Sequence, residues 1–111
     1  MINRLHGKKN LFNSIFLARN WHPADHISFQ SSHPGSDLFD EIQLPAGSKH
    51  EDSRMQIMWP DHCIQNTFGA QYHRSLLRLP TDIEILKGKN REFDSESAFG
   101  NELHDDTGLL K

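Results

Sequence analysis

Apolar residues in this chain come in short runs separated by long polar stretches. The longest run, Ile15-Phe16-Leu17-Ala18, is continuous rather than alternating and gives way to Asn20 and Pro23. It predicts a short buried strand closed by a turn. Gln30 to Arg54 is polar and rich in Ser, Gly, Pro and Asp, with Leu38, Phe39, Ile42 and Leu44 as its apolar anchors. It reads as a loop well beyond the ~12–15 residues of an ordinary connection, a length that is usually functional or disordered. From Gly69 to Leu79 the positions Tyr72, Leu76 and Leu79 share one helical stripe, flanked by Ala70 and Leu77 and stopped by Pro80, which predicts a helix. Ile83-Glu84-Ile85-Leu86 predicts a second strand. The order strand, long loop, helix, strand fits a right-handed crossover between parallel strands.

Two strands and one helix cannot cover both faces of a parallel sheet. The residues after Leu86 are mostly polar, with Phe93, Phe99 and Leu103 as isolated anchors, and no internal repeat supplies the rest. The physical pattern therefore predicts an excerpt of a larger α/β fold.

Composition narrows the function classes. The 111 residues suit one small domain, and 12 Lys+Arg against 15 Asp+Glu give a net charge of −3. Leu, Ile and Phe number 12, 8 and 7 while Val is absent, so the core is thin. A weakly acidic chain without a Lys/Arg block argues against nucleic acid or an anionic membrane surface as partner. No apolar run approaches the ~20 residues that span a bilayer. Met1 to Asn10 lacks an apolar signal core, so a cytoplasmic address is expected. Cys63 is the sole cysteine, which excludes an internal disulfide framework and a Cys-only zinc module.

The unusual count is His, at 8. His22 and His26 lie in Asn20-Trp21-His22-Pro23-Ala24-Asp25-His26-Ile27-Ser28-Phe29, and His62 lies in Trp59-Pro60-Asp61-His62-Cys63. Neutral imidazoles with a carboxylate form a common open site for Zn, Fe or Mn. Taken alone, paired loop histidines are more often solvated or hydrogen-bonding residues; the Trp-Pro contexts shift that balance by adding an apolar wall that excludes water. Cys63 beside His62 invites a nucleophile reading; chain neighbours rarely point the right way, so Cys63 reads as a core filler. Lys87 ends the second strand, where open α/β sheets bind ligands, although a solvated surface lysine has the same pattern.

In order along the chain stand Asn20 to Pro23, His26 to Phe29, His33-Pro34-Gly35, the long polar loop, Trp59 to Cys63, Gly69-Ala70, Lys87-Gly88 and Asp94-Ser95-Glu96-Ser97-Ala98-Phe99. This ordered set resembles the nicotinamidase branch of the isochorismatase-like cysteine hydrolase superfamily, from about Ile15 to Gly108. Superfamily members that hydrolyse isochorismate lack the His-based motifs.

The resemblance implies a Rossmann-like parallel sheet, here partial. Residues 1–111 would be a single partial domain, with 30–54 as its long loop and without the N-terminal and C-terminal parts. It also implies a divalent metal (Zn, Fe or Mn), hydrolysis of nicotinamide to nicotinate and ammonia in NAD salvage, and an Asp–Lys–Cys catalytic group. His22 and His62 match metal-binding histidines, and His26 matches a ligand of some members. Lys87 matches the catalytic lysine, and Trp59 would flank a small aromatic amide substrate. Cys63 matches a family cysteine that is not the nucleophile.

The departures are specific. The family's catalytic Asp falls upstream of these residues and its nucleophilic Cys downstream. Asn20 replaces a metal-binding Asp, and Glu96 replaces a usual Tyr. The expectation is the central part of a nicotinamidase that is inactive alone. The alternatives are a non-enzymatic metal-binding remnant and another amidase of the superfamily.

Overall fold

The computed structural model describes residues 1–8, 11–45, 54–99 and 107–109. Its elements in order are helix α1 (Ile2–His6) and strands β1 (Phe16–Asn20), β2 (Glu41–Leu44), β3 (Arg54–Ile57) and β4 (Ile83–Lys87). Single 3-10 turns lie at Gln30–Ser32 and Phe68–Ala70. β1 and β4 pair in parallel, with Phe16 opposite Ile83 and Asn20 opposite Lys87. The fold is α/β with few helices, and the expected parallel pair is present. No helix among the described residues is long and apolar enough to cross a membrane.

Three expectations need correction. The first strand starts at Phe16 and continues through Asn20, and it is not buried, because Phe16 is 48% exposed. The segment 30–54 is not loop throughout. Glu41–Leu44 pairs antiparallel with Arg54–Ile57, Ile42 lying opposite Gln56, so two of the expected loop anchors belong to a strand. Residues 46–53 of that segment, and Leu103, lie outside the described residues.

The third correction concerns Gly69–Leu79, which is not a helix. Gln71 is already extended, at ψ 154°. The backbone groups that a helix would use for itself are taken by a distant side chain instead. The Asn3 amide donates to the Ser75 carbonyl at 2.6 Å, and its oxygen accepts from the Leu77 N–H at 2.7 Å. A helix needs those groups for its own ladder, so the Asn3 contacts compete with a helix at Ser75 and Leu77. Near the same contact, His6 Nε2 lies 2.8 Å from the Asp82 carboxylate in a buried pair.

The best-buried side chains lie under the loops that follow β1. Phe29 and Met58 are fully buried, and Phe93 nearly so. Backbone bonds weave these loops together: Trp59 N–H to Ser28 O and Gln30 N–H to Trp59 O, each 2.8 Å, and Ile27 N–H to Arg91 O at 2.8 Å. Phe29 and Trp59 form an isolated parallel bridge. The Arg54 guanidinium lies over the Phe93 ring at 4.5 Å and donates to the Glu92 carbonyl. These contacts carry the 54–59 and 90–94 segments to the ends of β1 and β4.

Candidate functional site

The carboxyl ends of β1 and β4 deliver Asn20 and Lys87 side by side. Just beyond, the Trp21 N–H donates to the Lys87 carbonyl at 2.9 Å, and the His22 N–H donates to the Cys63 carbonyl at 2.9 Å. The chain thus leaves the sheet with its backbone pinned on both sides, and His22 is aimed rather than free. Trp59, Pro60 and His62 approach from the segment after β3. Together with Asp61, Asp94, Ser95 and Glu96 these residues line a cleft of about 460 Å³. A larger groove of about 970 Å³, lined by Arg19, Tyr72, Arg74 and Arg78 among others, contains none of the expected site residues.

Ring tautomers follow from the partners, because a carbonyl oxygen only accepts. His22 Nδ1 donates to the Gly88 carbonyl at 2.8 Å, and His62 Nδ1 donates to the Pro60 carbonyl at 2.7 Å. In its neutral form each ring then keeps a bare Nε2 lone pair, the arrangement that suits a metal ligand. His26 is different. Its Nε2 donates to the Phe93 carbonyl at 2.8 Å, and its Nδ1 faces the Ser28 hydroxyl at 2.7 Å. Both nitrogens are committed, the side chain is fully buried, and it is not among the residues lining the cleft. His26, expected from sequence as a ligand, thus has partners on both ring nitrogens, while a ring nitrogen of it also lies within 4.8 Å of ligand atoms of His22 and Asp94.

The three rings cluster tightly. The His22 centroid is 4.2 Å from that of His26 and 5.1 Å from that of His62, and Phe29 lies edge-on to His22 and His62 beneath them. Burial disfavours charge on His22 and His26, so both lie below the ordinary imidazole value of 6.5. Each also feels a neighbouring ring, His62 for His22 and His22 for His26. Backbone carbonyls, Gly88 and Phe93 respectively, pull partly the other way. Both rings stay neutral near pH 7, as a ligand must.

Gly88 makes this geometry feasible. Its φ is +66°, and a Cβ there would lie 2.4 Å from His22 Cε1. Position 88 accepts neither the backbone nor the bulk of another residue without displacing His22.

Ligand atoms of His22, His26 and Asp94 lie within 4.8 Å of one another. Asn20 Oδ1 is buried with no hydrogen-bond partner. An orphaned amide oxygen, the Nε2 lone pair of His22 and a carboxylate in one cleft form a donor set that fits a divalent cation. Lys87 Nζ donates to the Glu96 carbonyl at 3.1 Å, and Trp59 is 38% exposed at the cleft wall.

The surroundings match known enzymes. The chain is 45% identical over 100 residues to the nicotinamidase of Acinetobacter baylyi, covering 88% of this chain and 43% of that protein. This chain is a homologue of the nicotinamidases. The Escherichia coli nicotinamidase is 40% identical over 86 residues, 78% of this chain and 37% of its own length. The chain therefore spans less than half the length of these relatives. No protein-family model matches.

Among solved structures, the nicotinamidase/pyrazinamidase of Acinetobacter baumannii superposes with a TM-score of 0.75 at 39% identity, over 97% of this chain and 48% of that one. A yeast nicotinamidase shares the fold at a TM-score of 0.75 and 21% identity, over 97% of this chain and 53% of that one.

In this nicotinamidase homologue the cleft gathers Asn20, His22, Trp59, His62 and Lys87, and leaves out His26. Cys63 is a half-buried residue in the left-handed region, at φ 49°, rather than a core filler, and it is absent from the cleft lining. In the sequence, Asp94 and Gly88 fall within motifs that assign neither a role, and Gln56, which contacts Asp94, is not singled out. A lone Asp following a polar stretch carries no ligand spacing to His22. The Lys-Gly pair after a strand was the one available hint of a tight approach.

Proposed function

We propose that this chain carries the metal, lysine and aromatic-wall portion of a site that hydrolyses nicotinamide to nicotinate and ammonia, serving NAD recycling in the cytoplasm. The observation that carries the reading is the convergence of Asn20, His22, Trp59, His62 and Lys87 on one cleft, in a homologue of nicotinamidases. His22 and His62, through their bare Nε2 atoms, and Asn20 would hold a divalent cation such as Zn, Fe or Mn. When bound, the ion supplies a Lewis-acid contact to a substrate lone pair. Trp59 offers an aromatic wall for the pyridine ring. Lys87 brings a mobile proton and positive charge to the amide as charge develops on its oxygen and its nitrogen leaves.

A thioester route needs a thiol in the cleft. Cys63, the chain's one cysteine, does not line it, so the nucleophile in this reading comes from outside these 111 residues. The isolated chain is expected to release no ammonia from nicotinamide. The test is a chimera in which this chain replaces the aligned 100 residues of the A. baylyi relative. Ammonia release from nicotinamide is expected, with loss of roughly 10²–10⁴-fold on Lys87→Ala and a large loss on His62→Ala. A folded chimera that is inactive, or one indifferent to both substitutions, would overturn the reading.

A further inference from the structure

We infer that Asp94 supplies the anionic metal ligand that Asn20 cannot, and that Gln56 and His26 are its positioning residues. The inference rests on the metal reading above and changes which side chain carries the charge. A divalent ion held only by imidazoles and an amide carbonyl meets lone pairs and dipoles, without the direct charge–charge attraction of a carboxylate. The cleft offers three acidic side chains besides Asn20: Asp61, Asp94 and Glu96.

Asp61 is engaged by the Ser31 hydroxyl at 2.5 Å, and Glu96 is exposed, its backbone oxygen rather than its carboxylate meeting Lys87. Asp94 is the acidic residue that falls within 4.8 Å of the ring nitrogens of His22 and His26 among the described residues. Ligands around an ion with bonds of ~2.0–2.2 Å lie roughly 3.4 Å apart, so Asp94 and His22 need to approach by no more than about 1.4 Å to reach that spacing.

Two contacts fix where Asp94 sits. Gln56 Nε2 donates to Asp94 Oδ2 at 3.2 Å and to the Ile57 carbonyl at 3.0 Å, from a buried position on β3. That engages one carboxylate oxygen and leaves the other for the ion, as the hydrogen-bonded partners of metal carboxylates do. His26 Nε2 holds the Phe93 carbonyl, the peptide that leads directly into Asp94. His26 then acts by placing a ligand rather than by being one.

The experiment is Zn²⁺ titration calorimetry and Co²⁺ absorption spectroscopy on the full chain, with circular dichroism of each variant as the measure of folding. His22→Ala should abolish binding. Asp94→Asn should weaken Zn²⁺ binding by something like 10–100-fold and alter the Co²⁺ bands. Asp94→Glu should recover part of the loss, and Asp94→Asn combined with Asn20→Asp most of it. If Asp94→Asn binds like the parent while His22→Ala does not, the inference falls and the metal reading stands. Absence of Zn²⁺ binding by the parent chain removes both. Should Asp94→Asn fail to fold, Gln56→Leu decides: about 10-fold weaker binding supports the assignment, and unchanged affinity overturns it.

Discussion

The loops of this protein are better packed than its sheet. Around the cleft, Phe29, Met58, His22 and His26 are at or near zero exposure, and the His22 and His26 rings each reach a carbonyl more than 60 residues away at 2.8 Å. In the β1–β4 pair, Phe16 and Ile83 stand 48% and 43% exposed, and of the strand positions only Ile85 is well buried. The usual division, with a rigid sheet carrying mobile functional loops, is inverted over these residues. The difference teaches that site geometry here is held by local polar and aromatic packing.

The sharpest way to break that comparison is a pair of truncations. Phe29→Ala removes a fully buried ring from beneath the histidines and should cost about 3–5 kcal/mol, enough to abolish a cooperative urea transition in a marginal domain. Phe16→Ala, on the open sheet face, should move the midpoint far less. Equal effects would mean that the sheet is the true core.

Next in size is Gly88→Ala. The added Cβ meets the His22 ring, so Zn²⁺ affinity should fall by roughly 10–100-fold while the β1–β4 pairing, read by circular dichroism, survives. Acidification should give a smaller but more diagnostic effect. His22 and His26 lie below 6.5 in the fold because they are buried, so below that pH the unfolded chain binds protons that the fold refuses. By linkage, stability is fully present above about pH 6.5 and lost as pH falls below it. Urea midpoints at pH 7.5 and 5.5 should differ in that direction, and the difference should shrink in His26→Asn.

The smallest effect belongs to the sheet side. The Tyr72 hydroxyl donates to the Leu17 carbonyl at 2.9 Å, and burial with the nearby Glu84 carboxylate pushes it up to about 12, so it stays a donor at every ordinary pH. Tyr72→Phe should lower stability by about 0.5–1.5 kcal/mol, measured by thermal melts, with metal affinity unmoved. A change in metal affinity would show that the two regions are coupled.

Both strands of the parallel pair were legible because continuous apolar runs bounded by turn residues have few other uses, although their burial was not. The stripe at Tyr72, Leu76 and Leu79 misled because the Leu77 N–H and the Ser75 carbonyl are taken by Asn3, more than 70 residues away in sequence, and no local period records that. In the cleft, Asn20, His22, Trp59, His62 and Lys87 could be gathered from motif order. Asp94 stood in the same motif order without a role, since its relation to His22 is set by Gln56 on β3 and by the His26–Phe93 contact. His26 shows the same limit: spacing suggested a ligand, and no local pattern records its contacts to the Phe93 carbonyl and the Ser28 hydroxyl.

The β1–β4 pair has a spectroscopic consequence. In a sheet of two strands, alternate amides of each strand face the neighbour while those between face outward, where no further strand among the described residues meets them. Deuterium uptake along Phe16–Asn20 and Ile83–Lys87 should therefore alternate residue by residue, slow and fast, rather than fall smoothly from the ends. Loss of the fast set, on adding any polypeptide that extends the sheet, would report the closing of an edge directly, one amide at a time.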